Sequence, residues 1–149
     1  MFYFNSANDS KVEKFKNYLK IQTNSNIWDN SIIVPLNYLG IKKNSFLKIK
    51  CSVLSGKIGI GLVGDNFSKY LFNETFVDKK SDSNIQIPVN TKSKNLIIRN
   101  VSNNISKYKL YKIIKISEKE SQKLSSFSNL ENKFEFFFFL LKFDSSLRV

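Results

Sequence analysis

The sequence lacks the side chains that most hydrolytic and metal-dependent chemistry requires. It contains no histidine, and Cys51 is its only cysteine. A disulfide framework, a Cys/His zinc site, a Cys–His nucleophile and a Ser–His–Asp triad are therefore excluded within this chain. We expect a non-enzymatic protein with no catalytic residue, no metal site and no cofactor. Ile49 and Val53 share one strand face with Cys51, which predicts a buried thiol rather than a reactive one.

Aromatic and polar side chains stand together at two places in the chain. Trp28, the only tryptophan, is followed by Asp29, and Arg99-Asn100 ends a later apolar segment. An aromatic ring offers an apolar face, while carboxylate, amide and guanidinium groups bond to hydroxyls, which is the combination that sugar-binding sandwiches use. Tyr111 adds a ring, and it lies on the opposite strand face from Tyr108 unless a bulge intervenes. A structural role as core ring or loop brace stays open for each.

Two glycines leave one face of a predicted strand bare. Gly59 and Gly61 alternate with apolar residues of the same segment. Glycine weakens a strand, so two on one face indicate that something approaches the backbone closely. A ligand ring could do so, or a bulky neighbour such as Tyr70, and both explanations stay open. The sequence thus predicts a carbohydrate site made of Trp28, Asp29, Gly59, Gly61, Tyr70, Arg99, Asn100 and Tyr111.

A ladder of short strands must hold these residues in place. From Ser45 to Ile116, alternating apolar segments are separated by Gly, Ser, Asn or Asp turns at intervals of about 8–12 residues. Three consecutive segments around Ser55-Gly56 are predicted to form a meander. Seven or eight strands predict an all-β antiparallel sandwich of the jelly-roll type. The predicted strands are Ile27–Leu36, Ser45–Leu54, Lys57–Val63, Lys69–Val77, Ile85–Val89, Asn95–Val101 and Ser106–Ile116.

The sandwich is expected to occupy residues 23–117, between two appended segments. In the N-terminal segment, residues 1–22, a capping box at Ser10–Glu13 and helically spaced apolar residues predict a short helix over residues 10–20, with a strand as the competing interpretation. A second capping box, Ser117–Glu120, opens a predicted C-terminal helix over residues 118–142. This tail, residues 118–149, could be the remnant or the start of another domain.

The predicted C-terminal helix has a strongly apolar stripe. The run from Phe134 to Phe143 is much shorter than the span of about 20 residues that a membrane helix needs. A stripe of this kind predicts contact with another chain, a membrane surface or a lost domain. The predicted protein interface consists of Phe134, Phe137, Phe138 and Leu141.

The formal net charge of +12 raises the question of nucleic-acid binding. Arginine, whose fork suits phosphate, occurs only at Arg99 and Arg148. Lysines alternate along the strands as solvated outer faces, which fits the Lys- and Asn-rich composition of an AT-rich genome. We therefore do not expect nucleic acid to be the partner.

The first residues, Met1-Phe2-Tyr3-Phe4-Asn5, lack the basic start and the sustained apolar core of a secretory signal. Neither they nor the C-terminal run predict a transmembrane segment. A cytoplasmic location is therefore expected.

About residues 27–116 resemble the carbohydrate-binding-module-like jelly-roll domains that are often attached to bacterial FkbM-type methyltransferases and other glycan-modifying enzymes. The segments Ser55-Gly56-Lys57-Ile58-Gly59-Ile60-Gly61 and Ile97-Ile98-Arg99-Asn100 are the main basis for this resemblance. It implies a non-catalytic module that positions a glycan or a glycan-modifying enzyme. The methyltransferase itself is absent, because the chain has no Gly-rich βα unit for S-adenosylmethionine. The alternative is an assembly sandwich that binds no small ligand and uses its C-terminal helix as a protein interface.

Overall fold

The structure is a computed structural model, and it describes residues 3–41, 45–67, 74–78, 83–127 and 129. The chain divides into two compact units, Met1–Ile116 and Ser117–Val149. A short 3-10 helix, Leu36–Leu39, follows the fourth strand. The described residues include ten strands: β1 Asn5–Ser6, β2 Lys11–Lys14, β3 Leu19–Gln22, β4 Asn30–Pro35, β5 Ser45–Ser55, β6 Lys57–Val63, β7 Thr75–Asp78, β8 Ser83–Val89, β9 Asn95–Asn100 and β10 Lys107–Ser117.

The strands form two five-stranded antiparallel sheets that pack as a sandwich. The first sheet has the order β1-β4-β9-β6-β7, and the second has the order β2-β3-β10-β5-β8. The predicted antiparallel sandwich is thereby confirmed. Strands β4 to β10 correspond in order to the seven predicted segments, and the three additional strands lie in the N-terminal segment.

The core lies between the sheets because each central strand turns alternate apolar residues inward. In β5 the inward residues include Ile49 and Cys51, which are fully buried as predicted. Burying each large aliphatic side chain contributes about 1.5–3 kcal/mol. Tyr108 of β10 is also fully buried, and its phenol oxygen lies 2.7 Å from the Ser31 hydroxyl, which donates to the Ile98 carbonyl. Desolvation by burial raises the pKa of Tyr108 well above its usual value, more than the Ser31 bond lowers it.

The predicted N-terminal helix is wrong. The segment is instead a hairpin in which β2 pairs with β3, with Val12 opposite Ile21. Leu19 and Ile21 alternate inward as core residues, so the period of two outweighs the helical spacing of Val12, Phe15, Tyr18 and Leu19. A helix this short is marginal by itself, whereas β3 gains a full ladder with β10.

The predicted meander is also wrong at its first turn. Strands β5 and β6 lie in different sheets, so the chain crosses the sandwich at Gly56. Gly56 has φ +75°, and a Cβ there would lie 2.3 Å from the Ser106 hydroxyl oxygen, so glycine is needed for the crossing. The turn pattern was identified correctly, but alternation alone does not determine which strand pairs with which: β5 pairs with β8, and β6 pairs with β9 and β7.

In the second unit, residues 118–127 are helical. The Ser117 hydroxyl accepts a bond from the Glu120 amide at 3.2 Å, and the Glu120 carboxylate accepts one from the Ser117 amide at 2.8 Å. These reciprocal bonds confirm the predicted capping box, and they lower the pKa of Glu120. The predicted interface residues, Phe134, Phe137, Phe138 and Leu141, lie outside the described residues. Within the described part of the chain, no helix is long and apolar enough to cross a membrane.

Candidate functional site

Trp28 is a half-exposed ring next to the start of β4 in the first sheet. It lies in the turn that leads into β4, with φ 73°, and its amide donates to the Asn100 carbonyl at 2.7 Å. The turn replaces the start of the predicted strand, so the indole is presented outward with 50% of its surface exposed. The Arg99 guanidinium carbon lies 4.7 Å from the ring centroid, a cation–π contact.

Glu74 holds Arg99 in place above Gly59. The Arg99 Nε donates to one carboxylate oxygen at 2.7 Å, and Nη2 donates to the other. Gly59 lies opposite Arg99 in register, and a Cβ on Gly59 would lie 1.9 Å from Glu74 Oε1. The Glu74 carboxylate therefore covers the bare glycine face, so a neighbouring side chain explains this glycine. We call Trp28, Gly59, Glu74 and Arg99 the Trp28 platform.

Asp29 and Asn100 brace the loops beside the platform. Asp29 Oδ2 accepts bonds from the side-chain amides of Asn24 and Asn26, at 2.7 and 3.2 Å. Asn100 is fully buried; its Nδ2 donates to loop carbonyls, including that of Asn26 at 3.1 Å, and its Oδ1 accepts from the Ser106 hydroxyl at 2.7 Å. Burial keeps Asn100 out of reach of a ligand in this arrangement.

The remaining predicted site residues lie elsewhere. Gly61 is buried within β6, opposite Ile97, which is also buried. Tyr70 lies outside the described residues. Tyr111 belongs to β10 in the second sheet and, as predicted, faces away from the buried Tyr108. The structure therefore brings Trp28, Asp29, Gly59, Arg99 and Asn100 together but places Tyr111 in a second region.

That second region is a cleft of about 530 Å³, a size typical of small-molecule sites. Pro35, at the end of β4, lines it, so the cleft lies at the opposite end of β4 from Trp28. We call it the tyrosine cleft, after the four tyrosines among its lining residues: Tyr3, Tyr18, Tyr38 and Tyr111. The rings of Tyr3 and Tyr38 are 4.8 Å apart, and both are more than half exposed. Lys16, Asn17 and Lys112 supply polar groups.

Three rings form a continuous row at this cleft. Phe15 and Tyr18 stack with centroids 4.7 Å apart at 15°, and Tyr18 lies 5.8 Å from Tyr111. The turn between β2 and β3, closed by the bond from the Phe15 amide to the Tyr18 carbonyl, positions the first two rings, and β10 positions the third. We call Phe15, Tyr18 and Tyr111 the aromatic row.

Lysines contact the rings of this row. Lys109 Nζ lies 4.9 Å from the Tyr18 centroid, and Lys50 Nζ lies 5.5 Å from that of Tyr111. Ring faces, phenol groups and ammonium donors can bind a ligand that is apolar on one face and hydroxylated at its edge. Among the described residues, no group of three or more His, Cys, Asp or Glu side chains could hold a metal ion.

Sequence reasoning missed Tyr18 because the segment around it was assigned to a helix. The alternation of Leu19, Lys20 and Ile21 was the available signal: it places Tyr18 on the face opposite the two core residues. For Tyr3 and Tyr38 the sequence held no comparable signal, because a 3-10 helix and the N-terminal strand bring them together across a long separation.

No protein-family model matches the chain, and no curated protein matches it. Among solved structures, it is similar to the CBM22-1 xylan-binding domain of Paenibacillus barcinonensis Xyn10C, with a TM-score of 0.53 and 13% identity over 75% of this chain and 83% of that one. A second similar structure is the apo form of BiXyn10A CBM1, with a TM-score of 0.46 and 14% identity over 73% and 88% of the two chains. The first likeness confirms a carbohydrate-binding-module-like fold, and the association with FkbM-type methyltransferases stays a prediction.

Proposed function

We propose that the sandwich is a non-catalytic carbohydrate-binding module and that the aromatic row and the tyrosine cleft form its glycan site. The observation that carries the proposal is a row of three contacting rings beside a cleft of about 530 Å³. The C–H face of a sugar ring stacks on an aromatic ring, and its hydroxyls bond to phenol, amide and ammonium groups at the rim. Asn17 and Lys112 supply such groups beside Tyr111.

The Trp28 platform suits this function less well, because its polar groups and those of the loops beside it are already hydrogen-bonded within the protein. Arg99 is held by both oxygens of Glu74, Asp29 by two asparagine side chains, and Asn100 is buried. A specific site needs polar groups that can turn to the ligand as well as an apolar face. The platform offers the indole face of Trp28 but few partners for hydroxyls.

In this proposal the module holds a glycan, or an enzyme that modifies one, and does no chemistry itself. The absence of histidine supports the non-catalytic role, since it excludes histidine as base or ligand anywhere in the sequence. The fold supports the binding role by likeness to a domain that binds xylan.

A glycan-array screen of the full chain, followed by calorimetric titration of the hits, tests the proposal. We expect Tyr18→Ala and Tyr111→Ala each to lower affinity by about fivefold, since a stacked ring contributes on the order of 1 kcal/mol. Tyr111→Phe should retain most of the stacking and separate it from the hydroxyl bond. Near-UV circular dichroism checks that each variant is folded.

Trp28→Ala is the matched control, because it removes a half-exposed ring from the other region. It should leave glycan affinity unchanged. If Trp28→Ala abolishes binding while the tyrosine variants do not, the site lies at the platform instead. If no glycan binds the folded chain, the carbohydrate-binding proposal fails.

A further inference from the structure

The outer face of the second sheet has a marked excess of positive charge. In β10 the buried Tyr108 and Leu110 alternate with outward Lys107 and Lys109, and the neighbouring strands repeat this pattern. Alternation places six lysines on one side of the sheet, in the same layer as Tyr111. We call them the lysine face: Lys11, Lys20, Lys48, Lys50, Lys107 and Lys109.

The cross-strand partners of these lysines are mostly uncharged. Lys48 and Lys50 lie opposite Gln86 and Asn84. Lys107 lies opposite Gln22, as Lys11 does from the other side of β3. Within the described part of the sheet, the only carboxylate that faces outward is that of Glu13, 4.0 Å from Lys20.

One pairing works against stability. Lys20 and Lys109 lie directly opposite each other in register, and like charges at such positions are destabilising. Glu13 offsets Lys20 only weakly, because both side chains are well exposed. A face that retains mutual repulsion is suited to a ligand that brings the opposite charge.

Building on the proposed function, we propose that the glycan recognised by this module is acidic, with carboxylate groups on its sugar rings. The rings and the charges occupy the same place, since Lys109 lies over Tyr18 and Lys50 over Tyr111. A lysine side chain is flexible, so its ammonium can move from the aromatic ring to a carboxylate of a sugar stacked nearby. The aromatic row then orients the sugar ring, and the lysine face selects its charge.

The type of cation favours a carboxylated glycan over a nucleic acid. Arg99, the one arginine among the described residues, lies in the other sheet and is held by Glu74. The planar fork of arginine suits phosphate, whereas lysine is a compact point charge that can pair with a single carboxylate. The lysine face therefore suits carboxylates spaced along a sugar chain.

Titration of the full chain with polygalacturonate and with neutral xylan of similar length tests the inference at low and at high salt. We expect polygalacturonate to bind more tightly and to lose affinity as salt rises, because exposed charges are screened. The Lys20→Gln/Lys109→Gln double variant should lower the affinity for polygalacturonate roughly three- to tenfold and the affinity for xylan by a much smaller factor. Lys92→Gln/Lys94→Gln, with the same charge change at two exposed lysines just before β9, is the control and should match the wild type.

The outcomes separate this inference from the function on which it rests. Equal affinity for the two glycans, still dependent on Tyr111, overturns the acidic preference and leaves carbohydrate binding intact. Polygalacturonate binding that is insensitive to both Tyr18→Ala and Tyr111→Ala overturns the proposed glycan site. Single-stranded DNA that binds as tightly as polygalacturonate, with the same dependence on the lysines, overturns the choice of a glycan.

Discussion

The outer faces of the two sheets differ in how their charged side chains are paired. On the first sheet, Arg99 is bound by Glu74, and Lys57 lies opposite Asp78 in register. On the second sheet, most lysines of the lysine face lie opposite amides or another lysine, and only Lys20 also lies opposite a carboxylate, that of Glu13, among the pairs that the structure describes. Positive charge is therefore unevenly distributed between the outer faces of the described sandwich. A charge that is paired within the fold stabilises the fold, whereas a local excess of one charge attracts a partner of the opposite charge.

A cation lies over an aromatic ring on each face, but the two cations differ in how firmly they are held. Arg99 lies over Trp28, but Glu74 fixes the guanidinium, so the pair is a rigid brace. Lys109 lies over Tyr18 with Lys20, not a carboxylate, across the strand. The first arrangement resists exchange with a ligand, and the second one permits it.

Removing the Glu74 carboxylate from the outer face of the first sheet should have the largest effect on stability. Glu74→Gln removes the negative charge that two nitrogens of the partly buried Arg99 contact, at side-chain exposures of only 21% for Arg99 and 8% for Glu74. We expect a loss of about 2–4 kcal/mol in unfolding free energy by urea denaturation. Asp78→Asn, at an exposed position of the same face, should cost less than about 1 kcal/mol. Equal losses for both variants would contradict a special role for the Glu74 pair.

Adding a methyl group at Gly59 should have the next largest effect on stability. In Gly59→Ala the new methyl group meets Glu74 Oε1 and Val101 Cγ1, so the carboxylate must move off Arg99. We expect a loss of about 1–3 kcal/mol by the same measurement. In a Glu74→Ala background the substitution should cost much less, because the obstructing atoms are gone. Strictly additive losses would show that the glycine is needed for another reason.

High pH should lower the free energy of unfolding through Tyr108, which is buried between the two sheets. The pKa of Tyr108 is raised by burial, so its neutral form stabilises the folded state fully below pH 10 and less as pH rises further. Above about pH 10, unfolding free energy should fall by about 1.4 kcal/mol per pH unit from this group. Comparing the pH dependence of the wild type with that of Tyr108→Phe isolates the contribution, and parallel curves would refute it.

Introducing a carboxylate on the lysine face should have the smallest effect on stability. Lys109→Glu replaces the repulsion with Lys20 by attraction, so we expect stabilisation of about 0.5 kcal/mol that fades with salt. The same change should weaken polygalacturonate binding. Lys92→Glu is the charge-matched control for thermal unfolding. Destabilisation by Lys109→Glu would mean that the lysine supports the fold rather than a ligand.

Local patterns predicted the strands well and their partners poorly. The alternation around Leu47, Ile49 and Cys51 was enough to identify β5, because burial on one face imposes a period of two. The alternation does not encode which strand lies alongside, so Ser55-Gly56 resembled a hairpin although the chain crosses to the other sheet there. Partners are chosen by contacts between distant residues.

The candidate site residues were also predicted well where they depend on local sequence, and poorly where they depend on distant strands. Trp28, Arg99 and Gly59 were correctly grouped as neighbours, but the sequence did not indicate that Glu74 would cover the glycine. Tyr111 was correctly expected to face away from Tyr108, whereas its contact with Tyr18 depends on a pairing between the two ends of the sandwich sequence. Neighbourhoods created by distant strands could not be predicted from local patterns.

The position of β3 beside β10 also sets an order of events during synthesis. Leu19 pairs with Leu110, so the N-terminal hairpin meets its main partner only after most of the sandwich has left the ribosome. Because synthesis proceeds at about 5–20 residues per second, the apolar side of the hairpin stays exposed to solvent for several seconds. A two-stranded hairpin is barely stable alone, and β10 also joins β3 to β5 at the centre of the sheet. The second sheet is therefore completed only after β10, the last of the ten described strands, has been synthesised.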